Sequence, residues 1–102
     1  MHVDEVRDRL LELRLMQEQI NSLNIPLSVV PMVERQRTER EINRIAQTYL
    51  RAVDCDIKYL RYVRKPLNRA KEDLQRWVYY YELDQKKKMG KLAAILFRIG
   101  KR

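Results

Sequence analysis

The sequence predicts an all-α protein of three to four helices, and three observations lead to that class. Two glycines and three prolines in 102 residues leave few points for turns. Apolar residues recur at spacings of three and four along most of the chain, which is the period of a helix. The 45% hydrophobic and 35% charged content suits a packed chain rather than a disordered one. We expect one domain over residues 1–102, in which long second and third helices form a hairpin or bundle completed by oligomerisation.

The first helix is predicted over residues 4–22, with Asp4 as its N-cap. One seam along it has helical spacing and consists of Val3, Val6, Leu10, Leu13, Gln17 and Ile20. Leu11 and Leu15 lie on roughly the opposite side. A helix that is apolar on two faces usually has two neighbours, so we expect the second neighbour to come from another copy of the chain.

A connector over residues 24–30 separates the first two helices. Pro26 and Pro31 disfavour helix at the residues before them, so an extended segment is predicted. Its apolar content predicts that it crosses the helices and helps to close the core. The second helix is predicted over residues 31–65, with Pro31 in its first turn and Pro66 limiting its far end.

The second helix has the most regular pattern in the sequence. Its predicted seam has alternating spacings of four and three and consists of Ile42, Ala46, Tyr49, Val53, Asp56, Leu60 and Val63. Asp56 is the one polar member of this seam. It is expected to pair with an arginine of a neighbouring helix or to fix the register of packing.

The third helix is predicted over residues 66–88, where Leu67, Ala70, Leu74, Trp77 and Tyr81 continue the rhythm. The polar stretch 84–88 interrupts this seam and Gly90 invites a break. A short last helix is therefore predicted over residues 91–99.

The net charge of +8 is unevenly distributed. Residues 1–32 carry three arginines against five carboxylates. Residues 33–65 carry nine basic groups against five acidic ones, and residues 66–102 carry ten against four. The positive surplus therefore lies in the last two-thirds of the chain, which points to an anionic partner: nucleic acid, a membrane surface or an acidic protein.

A basic ladder on the second helix is the strongest functional signal. Five basic residues recur every seventh position opposite the apolar seam, with one more between the first two: Arg37, Arg44, Arg51, Lys58 and Lys65, and Arg40. On one helix the five would span about 42 Å. A long cationic row suits phosphate oxygens, because each neutralised phosphate releases counterions. The alternative is an ordinary solvated face, although such faces usually mix the two signs of charge.

Further nucleic-acid contacts are expected from the third helix. Trp77 and Tyr81 are predicted to be core residues, whereas Tyr80 shares a face with arginines and lysines and could stack on bases or anchor a protein contact. The candidate contacts here are Arg69, Arg76, Tyr80, Lys86, Lys87 and Lys88.

The C-terminal tail combines basic flanks with an apolar block. Docking into a second subunit is the favoured interpretation, because Leu11 and Leu15 offer an apolar counter-surface. Two other interpretations of the tail remain. It could insert into a membrane interface, which is less favoured, or it could cap the chain's own bundle. The residues predicted for an oligomer interface are Leu11, Leu15, Leu92, Ile95, Leu96, Phe97 and Ile99.

The sequence predicts no catalytic residues, metal ligands or cofactor. His2 is the only histidine and is expected near a frayed terminus, and no phosphate loop or nucleophile motif occurs. A single cysteine, Cys55, excludes an internal disulfide. We expect no secretory signal at the acidic start, and the longest apolar run, residues 92–97, is short of the ~20 residues of a membrane span.

Two functions fit these observations. The first is a non-enzymatic structural protein that coats or organises DNA or RNA through backbone contacts, such as a nucleoprotein of a virion or chromosome. The alternative is a helical adaptor, inhibitor or assembly subunit whose basic face meets an acidic protein. The apolar faces of the first helix and the tail also predict a homo-oligomer. We expect the protein to act inside a cell (cytoplasm or nucleoid) or within a virion.

Overall fold

A computed structural model describes the backbone of residues 1–100 and the side chains of residues 1–96. It contains three helices: α1 (Val3–Ser22), α2 (Met32–Asp54) and α3 (Arg64–Gly100). Each helix packs against the other two. No strand forms in this part of the chain, where the β-type pairing is limited to an isolated bridge between His2 and Tyr59. The predicted all-α class is therefore confirmed.

The three helices share one hydrophobic core. α1 contributes the seam that its spacing predicts, since Val6, Leu10, Leu13 and Ile20 are buried. The side chains that α2 and α3 bury against it are Thr38, Ile42, Ile45 and Ala52, and Leu67, Ala70, Leu74 and Trp77. Trp77 is a core residue, as predicted, and Tyr81 packs against the core from its edge.

The N-terminus is held in place. The amine of Met1 donates to the carbonyl oxygen of Leu60 at 3.0 Å, and the Leu60 amide donates back to Met1 at 2.8 Å. His2, rather than Asp4, is the N-cap of α1, because its Nδ1 accepts from the Asp4 amide at 3.2 Å. Its ring also meets the Tyr59 ring edge to face at 5.3 Å between centroids. The expected fraying at His2 is therefore wrong.

α2 ends at Asp54, eleven residues before the predicted end at residue 65. The Cys55 amide closes the last turn on the Arg51 carbonyl at 3.0 Å. Asp56 then adopts φ 55° and Tyr62 adopts φ 64°, and a right-handed helix cannot pass through either left-handed conformation. Leu60 and Val63 are buried, but they reach the core from the connector over residues 55–63. Their helical spacing is a coincidence of the sequence.

The buried side of α2 is rotated slightly from the predicted seam: Ile42 is buried as predicted, and Ala46 and Tyr49 pack against the edge of the core. Ile45 and Ala52 are buried, whereas the predicted Val53 is 51% exposed. Asp56 lies outside the helix with an exposed side chain, so the predicted pairing of a buried carboxylate is also wrong. The buried side begins at Thr38, whose hydroxyl bonds to Asp73, and a pattern of apolar residues alone does not include a buried threonine.

The connector before α2 is held by Arg35. Its guanidinium Nε donates to the carbonyl of Val30 at 2.9 Å, and its Nη2 donates to the carbonyls of Pro26, at 3.1 Å, and Ile25. The segment turns rather than running extended, because the Val29 and Val30 amides both bond back to the Pro26 carbonyl. It does close the core through Ile25 and Val30. Pro31 is the N-cap of α2, one position before the predicted first turn.

α3 begins at Arg64, which places Pro66 in its first turn, where a proline is tolerated. It then runs without a break through Gly90, so the predicted separate helix over residues 91–99 is wrong. One helical glycine weakens a helix by about 1 kcal/mol, and the lysines, leucine and alanines around Gly90 are good helix formers. Every side chain from Lys86 to Leu96 is exposed, so this end of α3 extends beyond the core of a molecule 73 Å long and about 20 Å wide.

Candidate nucleic-acid interface

Four arginines form an exposed row on α2. Arg37, Arg44 and Arg51 are seven residues apart, and at 3.6 residues per turn they fall within about 40° of each other around the helix. Arg40 lies on the same side, and all four side chains are exposed. The row covers about 21 Å of helix, which equals several phosphate spacings along a nucleic-acid strand.

These four arginines form no salt bridge with another described side chain, although the carboxylate of Glu41 lines the same groove. Among the side chains of residues 1–96, none of their guanidinium groups takes part in a salt bridge. Arginines on α1 are engaged differently: Arg7 lies 3.7 Å from Asp4 and 3.3 Å from Asp8. An arginine without a counter-charge keeps its full attraction for an external anion.

The row borders a shallow groove of about 460 Å³. The residues that line it are Val33, Gln36, Arg37, Arg40, Glu41 and Arg44. Three arginines therefore line one groove, and each guanidinium group has five N–H donors in a planar fork. This geometry suits a planar or tetrahedral oxyanion with several acceptor oxygens, such as a phosphate.

α3 extends the basic surface across the contact between the two helices. Arg69 Nη1 lies 3.8 Å from Glu41 Oε1, and Glu41 is itself a wall of the groove. One turn further along, Thr38 Oγ1 donates to Asp73 Oδ2 at 3.3 Å, and Asp73 Oδ1 lies 3.4 Å from Arg76 Nη1. We call the surface formed by these residues of α2 and α3 the arginine face: Arg37, Arg40, Arg44, Arg51, Arg69 and Arg76.

The arginine face points away from α1. α1 meets α2 through Arg14, whose Nη2 donates to Asn43 Oδ1 at 2.8 Å, and meets α3 through Glu12, which lies 2.8 Å from Lys71 Nζ. At 3.6 residues per turn, Asn43 lies on a different side of α2 from the arginine row. Lys71 likewise lies on a different side of α3 from Arg69 and Arg76. The basic surface of α2 and α3 is therefore not covered by the rest of the described chain.

The predicted ladder of five rungs on one helix is wrong. Its last two members lie beyond the end of α2, with Lys58 in the connector and Lys65 in the first turn of α3. Both side chains are exposed. The structure thus keeps Arg37, Arg40, Arg44 and Arg51 together and replaces the rest of the row by Arg69 and Arg76 from another helix.

The remaining candidates lie further along α3. Tyr80 is 42% exposed, and its ring lies 6.1 Å from that of Tyr79, which is also exposed. Lys86, Lys87 and Lys88 are exposed on the part of α3 beyond the core, where Lys88 Nζ lies 3.1 Å from Asp84. They are separate from the groove between Arg37 and Arg44.

The residues predicted for an oligomer interface are exposed wherever their side chains are described. Leu11 and Leu15 lie on α1, and Leu92, Ile95 and Leu96 on the end of α3. Phe97 and Ile99, which complete the prediction, lie outside the residues whose side chains are described.

Sequence reasoning missed two features of this region. Glu41 and Asp73 join the arginines of two helices, and no local pattern distinguishes them from other helix-surface carboxylates. Arg35 belongs to the same basic stretch of sequence and precedes Arg37, but it binds backbone carbonyls and is not part of the exposed row. Among the described residues, no group of three histidine, cysteine or acidic side chains is placed to hold a metal ion.

The described helices include none that is both long enough and apolar enough to span a bilayer. Comparison with known proteins gives no relative, since no protein-family model, no curated protein and no solved structure matches the sequence significantly. The class that fold and surface define is therefore a three-helix protein with an exposed arginine face.

Proposed function

We propose that this protein is a non-enzymatic structural protein that binds the phosphate backbone of DNA or RNA through its arginine face. α2 and α3 act in this proposal as a hairpin that presents the face, and copies associate side by side on the nucleic acid. The sequence contains no motif that reads base edges, so the binding is independent of base sequence. An intracellular or virion location follows from such a role.

The observation that carries this proposal is the row of exposed arginines on α2, none of which forms a salt bridge among the described side chains. A helix surface that serves only solubility usually carries both signs of charge, because neighbouring opposite charges stabilise a helix. Here Arg37, Arg40 and Arg44 line one groove in which Glu41 is the single acidic lining residue. Their mutual repulsion is relieved when a polyanion neutralises them.

The expected thermodynamics follow from counterion release. Each phosphate that an arginine neutralises releases about 0.9 of a condensed cation from duplex DNA, so affinity falls as salt rises. Four to six contacts give a slope of log affinity against log salt of roughly −4 to −5. Arg69 and Arg76 contribute less than the α2 arginines, because Glu41 and Asp73 already neutralise part of their charge.

Replacing Arg44 by glutamine tests the proposal, with Arg7→Gln as the matched control. Both residues are exposed arginines on helices, but Arg7 lies on α1 and is already paired with two aspartates. We expect Arg44→Gln to flatten the salt slope by about one unit on two unrelated duplexes alike, and Arg7→Gln to leave it unchanged. Fluorescence anisotropy over a series of salt concentrations measures both slopes.

Equal slopes for the two variants would contradict the proposal, because binding would then depend on total charge and not on the arginine face. A loss confined to one duplex would contradict sequence independence.

An acidic protein partner is the second candidate, and Val33 is the observation that favours it. Val33 is 75% exposed and lines the same groove as the arginines. Protein interfaces combine apolar contacts with arginine more often than phosphate-binding surfaces do. Val33→Ser should weaken binding to such a partner and should leave affinity for nucleic acid within about twofold.

A further inference from the structure

The outer face of α1 carries a second seam that no described part of the chain covers. Asp4, Asp8, Leu11, Leu15 and Glu18 follow spacings of four, three, four and three, which is the repeat of a coiled-coil seam. They lie opposite the core seam of α1, and Leu11 and Leu15 are 57% and 61% exposed. We call these five residues the acidic seam.

The charge of the acidic seam is negative. Arg7 pairs with this seam, and its guanidinium is shared by Asp4, at 3.7 Å, and Asp8, at 3.3 Å. Arg14 lies one turn before Glu18, but its guanidinium donates to Gln17 and Asn43. Glu18 forms no salt bridge within residues 1–96. Two exposed leucines are thus bracketed by carboxylates.

The end of α3 carries the opposite combination. Gln85, Met89, Leu92 and Leu96 follow spacings of four, three and four, and they continue the core-facing side of α3 past Leu74. Beyond the core these apolar side chains have no partner within the described chain, and Met89 is 70% exposed. The segment 84–96, which we call the projecting segment, carries Lys86, Lys87, Lys88 and Lys91 against Asp84 alone.

We infer that the projecting segment of one copy docks on the acidic seam of a second copy. Leucines meet leucines along two seams of the same spacing, and lysines on one side meet carboxylates on the other. The seams also match in length: residues 4–18 span about 21 Å and residues 85–96 about 17 Å. A helix end without tertiary contacts is marginally stable in water, so docking also stabilises the projecting segment.

A second copy fits these observations better than the other occupants do. A nucleic acid complements the lysines but not Met89, Leu92 and Leu96. An anionic membrane complements the projecting segment alone and leaves the acidic seam uncovered. Because the acidic seam lies on the side of α1 away from α2 and α3, docking there leaves the arginine face accessible.

A charge exchange between the two surfaces tests this inference in the absence of nucleic acid. One variant carries Asp8→Lys and Glu18→Lys, and the other carries Lys88→Glu and Lys91→Glu. Each variant alone sets like charges against each other and should associate at least about tenfold more weakly than the unmodified protein. An equimolar mixture restores opposite charges at both contacts, so it should regain most of the lost affinity as a complex of the two variants. Sedimentation equilibrium measures all three samples.

Two residues of α3 provide a second, charge-independent comparison, in case either charge variant loses helicity by circular dichroism. Leu92→Ser should weaken association, whereas Leu83→Ser should not, because Leu83 lies on the other side of α3. An unmodified protein that remains monomeric at tens of micromolar, folded charge variants that do not recover on mixing, or equal effects of Leu92→Ser and Leu83→Ser would each overturn the inference. Because no nucleic acid is present, these outcomes are independent of the proposed function.

Discussion

A triple variant with Arg37, Arg40 and Arg44 replaced by glutamine is expected to bind nucleic acid on the order of a hundredfold more weakly at about 0.1 M salt. The three arginines line one groove, and losing three phosphate contacts removes between two and three units of salt slope. Helicity and melting temperature should scarcely change, since exposed substitutions usually alter stability by less than ~0.5 kcal/mol each.

A control with the same loss of charge separates the arginine face from net charge. Arg7, Arg61 and Arg64 are exposed and lie outside the groove, so their replacement by glutamine changes the net charge equally. We expect this control to weaken binding by no more than a fewfold, through long-range attraction alone. If both variants lost affinity equally, the arginine face would have no special role.

The largest effect on stability outside the hydrophobic core is expected from Arg35→Ala. The substitution removes three hydrogen bonds from a charged donor to the connector carbonyls, including those of Val30 and Pro26. Hydrogen bonds to charged groups contribute ~1.5–3 kcal/mol when the partner is buried, and these are partly buried, so we expect a loss of about 2 kcal/mol in the free energy of unfolding. The melting temperature should fall by roughly 10 °C for a domain of this size.

Arg37→Ala is the matched control, because Arg37 lies two residues further along α2 and makes no hydrogen bond to the connector. It should leave the melting temperature within about 2–3 °C of the unmodified protein. A similar loss for both variants in thermal denaturation would show that helix propensity, and not the hold on the connector, is responsible. Arg35→Lys should recover little, since an ammonium group cannot bridge carbonyls with a planar fork.

The sequence predicted α1 well and the far end of α2 poorly, for a physical reason. The α1 seam is read correctly because a single uninterrupted helix makes periodicity and burial coincide, as at Val6, Leu10 and Leu13. At the end of α2 the same periodicity continued through Leu60 and Val63 while the backbone turned away. Asp56 takes its left-handed conformation in the turn that closes α2, where the amides of Asp56 and Ile57 bond back to the carbonyls of Val53 and Ala52. Such turns are usually marked by glycine, and neither Asp56 nor Tyr62 is a residue type that signals this conformation in a sequence.

At the end of α3 the sequence predicted a break that the structure does not contain. Gly90 is a weak helix former, but the chain around it has nothing else that stops a helix, and the space beside its Cα is open. Local propensity therefore outweighs a single glycine. The outcome matters for function, because an unbroken helix carries Leu92 and Leu96 beyond the core.

The candidate site could be predicted in part. Spacing alone placed Arg37, Arg44 and Arg51 on one face of α2, because residues seven apart on a helix always share a face. The proximity of Arg69 to that face arises from the packing of α3 against α2 through Glu41, and no local pattern encodes it. On α1 the sequence indicated a second apolar face through Leu11 and Leu15 only. The structure shows that no described element covers this face, so the carboxylates beside the two leucines belong to the same exposed surface.

The salt dependence of binding by the unmodified protein tests the central claim most directly. Affinities for two duplexes of unrelated sequence, measured between about 50 and 300 mM salt, should fall together along lines of log affinity against log salt with a slope of roughly −4 to −5. The two lines should nearly superimpose, because backbone contacts carry no base information. No measurable binding at the lowest salt, or a slope close to zero, would contradict the account and favour an acidic protein as the partner of the arginine face.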